Sequence, residues 1–340
     1  MYAFFLYMGL FILSAYMTTF PICRALQMYD TMSLITCESN RLYRKKRKDS
    51  ISMKDKLVIV RGGGDIATGT IQALHRAGFS LLVLEVADPS AIRRQVALSE
   101  AVYDETASVE DITARLCRSG KAIEKAWNKG EVPVTIDPKG RSIAELQPWA
   151  VVDAILAKRN LGTNKKMARH VVALGPGFTA GSDVDAVIET MRGHDLGHII
   201  LEGQAKANTG VPGLIGGYGK ERVIHSPAAG RFYGLVRIGS VVEKGQPLGV
   251  ITKEALPEGY VPGPDDGIPV LASLTGLVRG LIRDSYPVVE GFKIADIDPR
   301  QEEMKNCFTI SDKARCIGGA VVTALLWLEG RKCQETGYEL

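Results

Sequence analysis

The chain has 340 residues, 46% of them hydrophobic and 24% charged, with 36 glycines, a composition that suits a soluble protein of two domains. Its formal charge of +4 arises in residues 1–52, which hold seven basic and three acidic residues; the body is balanced at 35 of each sign. A balanced body has no basic stripe for nucleic acid, and six scattered cysteines without a Cys-x-x-Cys pair argue against a zinc site or a disulfide framework.

In chain order, Met1 to Cys23 carries no charge and is long enough for one membrane span, with the basic cluster Arg44-Lys45-Lys46-Arg47-Lys48 behind it. Translation starting at Met53 is the preferred reading of this leader; a membrane contact is expected only if the leader is real. The body opens with a buried-strand run, Leu57-Val58-Ile59-Val60, that enters Arg61-Gly62-Gly63-Gly64-Asp65-Ile66-Ala67 and then a helical pattern to Ala77. A second strand, Leu81 to Leu84, closes on Glu85. This is a β-α-β unit with a Gly-x-Gly-x-x-Ala turn, which lets backbone amides approach a pyrophosphate at a helix N-terminus. Glu85 sits where a ribose-binding acid belongs, and Arg61 is placed to neutralise phosphate. Asp65 in the first turn suits the helix dipole but repels phosphate. The plainer alternative is a Gly-rich turn that only packs helix on strand.

Val109 to Leu116 reads as helical, and Pro133 to Ile136 and Val151 to Asp153 as further strands. A second unit follows: the strand His170 to Leu174, then Gly175-Pro176-Gly177-Phe178-Thr179-Ala180-Gly181-Ser182, with Ser182 placed to cap a helix from Asp183 to about Met191. Asp183 and Asp185 then complement a dipole or bind a cation. A glycine-rich connection from Asn208 to Gly219 leads to a duplicated stretch in which Gly230, Gly234, Arg237, Val242 and Gly245 recur 46 positions later as Gly276, Gly280, Arg283, Val288 and Gly291. The halves resemble those of a biotinyl/lipoyl-carrier barrel-sandwich, but Lys253 in the connection lacks methionine neighbours, so an unmodified relative is expected. Ser311 is placed to cap an apolar helix from Asp312 to Leu328, with Gly330 as its stop.

The expected class is α/β: a Rossmann-like, mainly parallel sheet plus a duplicated β module of barrel-sandwich type. The expected organisation is a leader over 1–52, a nucleotide-binding domain over 53–205, the β module over 206–300 and a C-terminal helix packing on the sheet over 301–340. Gly62, Gly63, Gly64, Gly175 and Gly177, with Arg61, Asp65 and Glu85, are the candidate cofactor-binding residues. No protein metal site is expected, and no catalytic residue is evident.

Six segments together resemble a bacterial family of accessory proteins for selenium-dependent molybdenum hydroxylases, of YqeB type. They are Arg61 to Gly69, Ser99-Glu100-Ala101-Val102-Tyr103, Ala157-Lys158-Arg159-Asn160, Gly175 to Gly181, Asn208-Thr209-Gly210-Val211-Pro212-Gly213, and Ile310-Ser311-Asp312-Lys313-Ala314-Arg315. The resemblance spans Lys56 to about Leu326. It implies a cytoplasmic maturation or insertion factor rather than a stand-alone catalyst, with the dinucleotide form of molybdenum cofactor as ligand and the hydroxylase as partner. An NAD(P)-dependent oxidoreductase is the alternative from the glycine loop, although no Tyr-x-x-x-Lys pair or hydride-transfer machinery accompanies it. A non-catalytic scaffold that docks the β module on the hydroxylase is a third reading.

Overall fold

The computed structural model describes residues 53–335 other than 211–212, so the leader over 1–52 lies outside the described residues. Strand β1 (Leu57–Arg61) is followed by helix α1 (Asp65–Arg76), β2 (Ser80–Glu85), α2 (Ala101–Asp104), β3 (Thr106–Val109), β4 (Ile112–Leu116), α3 (Gly120–Asn128), β5 (Val132–Ile136), α4 (Arg141–Leu146), β6 (Ala150–Asp153) and β7 (His170–Leu174). Next come β8 (Thr179–Ala180), β9 (Ala186–Ile188), β10 (Ile199–Ile200) and β11 (Gly203–Gln204). Nine of these strands form one sheet in the order β10-β9-β7-β6-β1-β2-β5-β4-β3. Its interior pairs are parallel and both edge pairs are antiparallel.

Burial on both faces explains the continuous apolar strands. In β1, Val58 and Val60 face the core that contains Ile71 and Leu74 of α1, whereas Ile59 faces a separate core with Ile143 of α4. The first core is completed by α5 (Asp312–Glu335), through Ile317, Val321 and Leu325. Helices α1 and α5 touch backbone to backbone: a Cβ on Gly69 would overlap the Ala314 carbonyl, and one on Gly318 would overlap the Gly69 carbonyl and meet Ala73. Contacts that rise together in both helices mean that α1 and α5 run in the same direction, with their N-termini side by side.

Downstream lie β12 (Val223–His225), β13 (Gly230–Gly234), β14 (Val241–Val242), β15 (Pro247–Thr252), β16 (Ile268–Leu271), β17 (Gly276–Leu281), β18 (Pro287–Val288) and β19 (Lys293–Asp298). They make two antiparallel sheets, β12-β19-β17-β14 and β16-β15-β13-β18. The 46-residue shift carries β14 onto β18 and β15 onto β19, and it aligns the starts of β13 and β17. The copies exchange strands, β13 pairing with β18 and β14 with β17.

The expected class, a Rossmann-like mainly parallel sheet with a barrel-sandwich hybrid, is corrected by this topology. The large sheet is mixed, and antiparallel ladders dominate the rest of the body. Two expected helices are strands. Val109 to Leu116 contains the β3-β4 hairpin turn, because Ile112, Ala114 and Leu116 are buried with period two around half-buried Thr113 and Arg115. The segment after Ser182 forms β9 instead of a helix, since Asp183 and Asp185 spend their carboxylates on the Thr179 and Val171 amides, both at 2.8 Å, and Val187 and Ile188 favour a strand. The C-terminal helix begins at Asp312 as expected but passes through Gly330.

Candidate functional site

At the end of β1 the chain turns tightly. Gly62 has φ +94°, its amide donates to the Leu84 carbonyl at 2.8 Å, and a Cβ there would press 3.0 Å from the Ala154 carbonyl oxygen. The Gly63 amide donates to Glu85 Oε1 at 2.7 Å, while the Val86 amide donates to Oε2 at 2.8 Å. Glu85 therefore braces the loop that it was expected to serve from across the ligand. Burial pushes its carboxyl upward, and the two amide bonds oppose that shift. Gly64 is the residue before α1, at φ −66°, with open space where a side chain would project. No side chain caps α1, so its first-turn amides lack the usual acceptor.

These amides face a cleft of about 710 Å³ whose wall includes Gly62, Gly64, Asp65, Glu85, Ser99 and Asp137. Ser99 is 1% exposed, and its hydroxyl has no hydrogen-bond partner. A buried hydroxyl without a partner is costly unless a ligand or water completes it. Arg61 also borders the cleft, but its guanidinium is engaged. It donates to Thr163 Oγ1, lies 3.5 Å from Asp153, and reaches the Leu161 carbonyl at 3.5 Å. Burial raises the Asp153 carboxyl, opposed by the Thr163 hydroxyl and by Arg61. Asp65 is met by Arg93 at 3.3 Å, which offsets the charge it brings to the helix end.

Gly175 and Gly177 are not part of this wall. Their positive φ values, +74° and +110°, serve a closed turn. A Cβ on Gly175 would sit 2.7 Å from Thr190 Oγ1, and one on Gly177 would sit 2.7 Å from the Arg159 backbone. The structure thus brings Arg61, Gly62, Gly64, Asp65 and Glu85 together, tucks Gly63 behind Glu85, and leaves the second loop elsewhere.

A second cleft, about 1400 Å³, shares Asp65, Ile66, Arg93, Lys293 and Asp296 with the first. It is bounded by the N-terminus of α5, where Ser311 Oγ accepts from the Ala314 amide at 3.2 Å, and by β17 and β19. Its wall holds ten Lys or Arg against five Asp or Glu, although the body as a whole is neutral. The duplicated module is anchored beside it. Arg283 bridges Glu100 and Asp104 and stacks over Tyr103, so the Ser99-to-Tyr103 segment clamps the module as well as lining the first cleft. Sequence reasoning missed Arg93, Ser99 and Arg279; the Ser99-to-Tyr103 and Ile310-to-Arg315 motifs were the signals that pointed there. Among the described residues, no group of three His, Cys, Asp or Glu could hold a metal ion, and no helix is long and apolar enough to cross a membrane.

No protein-family model matches the chain. Among solved structures it is similar to an aspartoacylase family protein from Mesorhizobium loti, at 13% identity over 71% of this chain and 84% of that one, with a TM-score of 0.24. It is likewise similar to a succinylglutamate desuccinylase from Silicibacter sp. TM1040, at 12% identity over 71% and 84% of the two chains, with a TM-score of 0.23. Scores this low carry no argument about fold or chemistry. The sequence match is much stronger: the uncharacterized protein YqeB of Escherichia coli (strain K12) is 48% identical over 273 residues, 80% of this chain. The chain spans about half the length of that relative, 48%. Identity of this extent makes the chain a homologue of YqeB.

Proposed function

We propose that the chain is an accessory factor in the maturation of a selenium-dependent molybdenum hydroxylase, acting in the cytoplasm and holding nucleotide-bearing molybdenum cofactor as cargo. The observation that supports this most is the uncapped N-terminus of α1, opening beside Gly64 and the unpartnered Ser99 hydroxyl onto one cleft. Its volume, about 710 Å³, falls in the range of small-molecule sites. A phosphate oxygen seated there would take the free amides, with the dipole adding to the attraction. Glu85, whose two oxygens each already accept one amide, keeps lone pairs for a ribose hydroxyl.

The test is native mass spectrometry of the protein purified from its own host. A bound pterin nucleotide is expected. Recovery of NAD(P), or of an empty protein complexed with a hydroxylase, would overturn the reading in favour of an oxidoreductase or a scaffold.

A further inference from the structure

Five cations on the wall of the second cleft, Lys158, Lys220, Arg279, Lys293 and Lys313, make no ion pair among the described residues, whereas all five acids there are paired with arginines. Unpaired cations gathered in a concave wall focus a positive potential that a neutral body would not otherwise have. Two helix ends add to it. Because α1 and α5 run side by side in the same direction, their N-termini, each equivalent to roughly half a positive charge, both border the second cleft, that of α1 where the two clefts meet.

Arg93 lies at that junction. It is 7% exposed, donates to Asp65 and to the carbonyls of Asn306 and Thr309, and keeps a buried Nε with no partner. Lys313 is half-buried on the first turn of α5. Burial lowers the pKa of its ammonium and Arg192 adds to that effect, while Asp65, Glu189 and Asp312 oppose it. Asp65 and Asp296 are the two carboxylates at the junction that oppose an anion; Arg93 answers the first and Arg222 the second.

We propose that this second cleft is a pyrophosphate seat, with Arg93, Arg279, Lys293 and Lys313 and the paired N-termini of α1 and α5 holding the phosphates of a ligand whose remainder lies along the first glycine loop. The proposal rests on the nucleotide-cofactor reading for that remainder, but the seat itself is defined by anion chemistry alone. A terminal monophosphate would engage fewer of these groups and bind more weakly.

The experiment is calorimetric titration of the full chain with inorganic pyrophosphate and, separately, inorganic phosphate, at low and at high salt. Pyrophosphate is expected to bind about tenfold tighter than phosphate, and binding is expected to weaken with salt. The double variant Arg279→Gln/Lys313→Gln should lose about tenfold or more in pyrophosphate affinity. Neither side chain makes an ion pair among the described residues, so the variant's thermal midpoint should stay near that of the parent. Lys244→Gln, an exposed cation outside both clefts, should bind as the parent does. Absent pyrophosphate binding, or equal losses in Lys244→Gln and the double variant, would overturn the seat. A pterin nucleotide recovered from the host without pyrophosphate binding would overturn the seat and leave the nucleotide reading standing. Pyrophosphate bound at the seat with no nucleotide recovered would do the reverse.

Discussion

The first glycine loop, Gly62 to Gly64, and the second, Gly175 to Gly177, both leave the end of a buried parallel strand of the same sheet, separated by β6 alone. They diverge within a few residues. After the first, Gly64 enters a helix whose N-terminus no side chain caps, and the freed amides face a cleft. After the second, Asp183 and Asp185 turn back on the Thr179 and Val171 amides, and the chain goes on to β9. An acid in the first turn is therefore compatible with opposite outcomes. Asp65 is neutralised by Arg93 from another segment and leaves the amides free, whereas Asp183 and Asp185 consume backbone donors themselves. The difference that matters is where each carboxylate finds its partner, and a glycine pattern does not encode that.

The sharpest way to break the comparison is at Gly177. With φ +110° and no room beside the Arg159 backbone, Gly177→Ala should cost about 3 kcal/mol of stability in urea unfolding, with ligand affinity of the folded protein retained. A stable Gly177→Ala variant with lost affinity would make the second loop the binding loop.

A smaller effect should come from Glu329 of α5, which ties the bases of both loops' strands together. It pairs with Lys56 before β1 at 3.4 Å and with Arg169 and His170 at the start of β7, at 2.8 and 2.7 Å. Burial pushes its carboxyl up, but Arg169, His170 and Lys56 outweigh that and hold it at about 2. A carboxyl held below its unfolded value of about 4.3 adds stability that is fully present above that pH and is lost as pH falls toward 2. Glu329→Gln should lower stability by about 2 kcal/mol at neutral pH and flatten the loss between about pH 5 and pH 2. Both loops should be affected alike. Unfolding curves of the two proteins across that range provide the check, and an unchanged acid slope would remove Glu329 as the tie.

The smallest effect should separate binding from folding. Ser99→Ala removes a buried hydroxyl that has no partner, so stability should hold or rise slightly, while nucleotide affinity should fall by roughly tenfold, or about 1.4 kcal/mol. Lost stability without lost affinity would make Ser99 a packing residue only.

Much of the scaffold was legible in the sequence. The strand–loop–helix–strand of residues 57–85, the strand at His170 to Leu174, the start of α5 and the 46-residue repeat all follow from local periodicity and glycine spacing. The class was misjudged where period-two burial in β4 was read as a helix and where carboxylates after Ser182 bonded backward instead of opening a helix. At the site, Gly62, Gly64 and Asp65 were legible because turn chemistry is local. Glu85 lies beside the loop, but its carboxylate accepts from the Gly63 amide, a partner choice that only the fold sets. The cationic cleft was invisible: Arg93, Lys158, Arg279, Lys293 and Lys313 are far apart in a chain whose body carries no net charge.

The central claim, that the ligand lies at the first loop and not the second, is tested most directly by titrating the host-derived pterin nucleotide into Gly64→Val and Asp183→Ala. A Cβ at position 64 would have no protein atom within 4 Å and no unfavourable φ, so the valine variant should fold and project its side chain into the cleft, lowering affinity by about a hundredfold. Asp183→Ala should lose only its bond to the Thr179 amide, about 1 kcal/mol of stability, with affinity intact. Undiminished affinity in Gly64→Val together with lost affinity in Asp183→Ala would contradict the account.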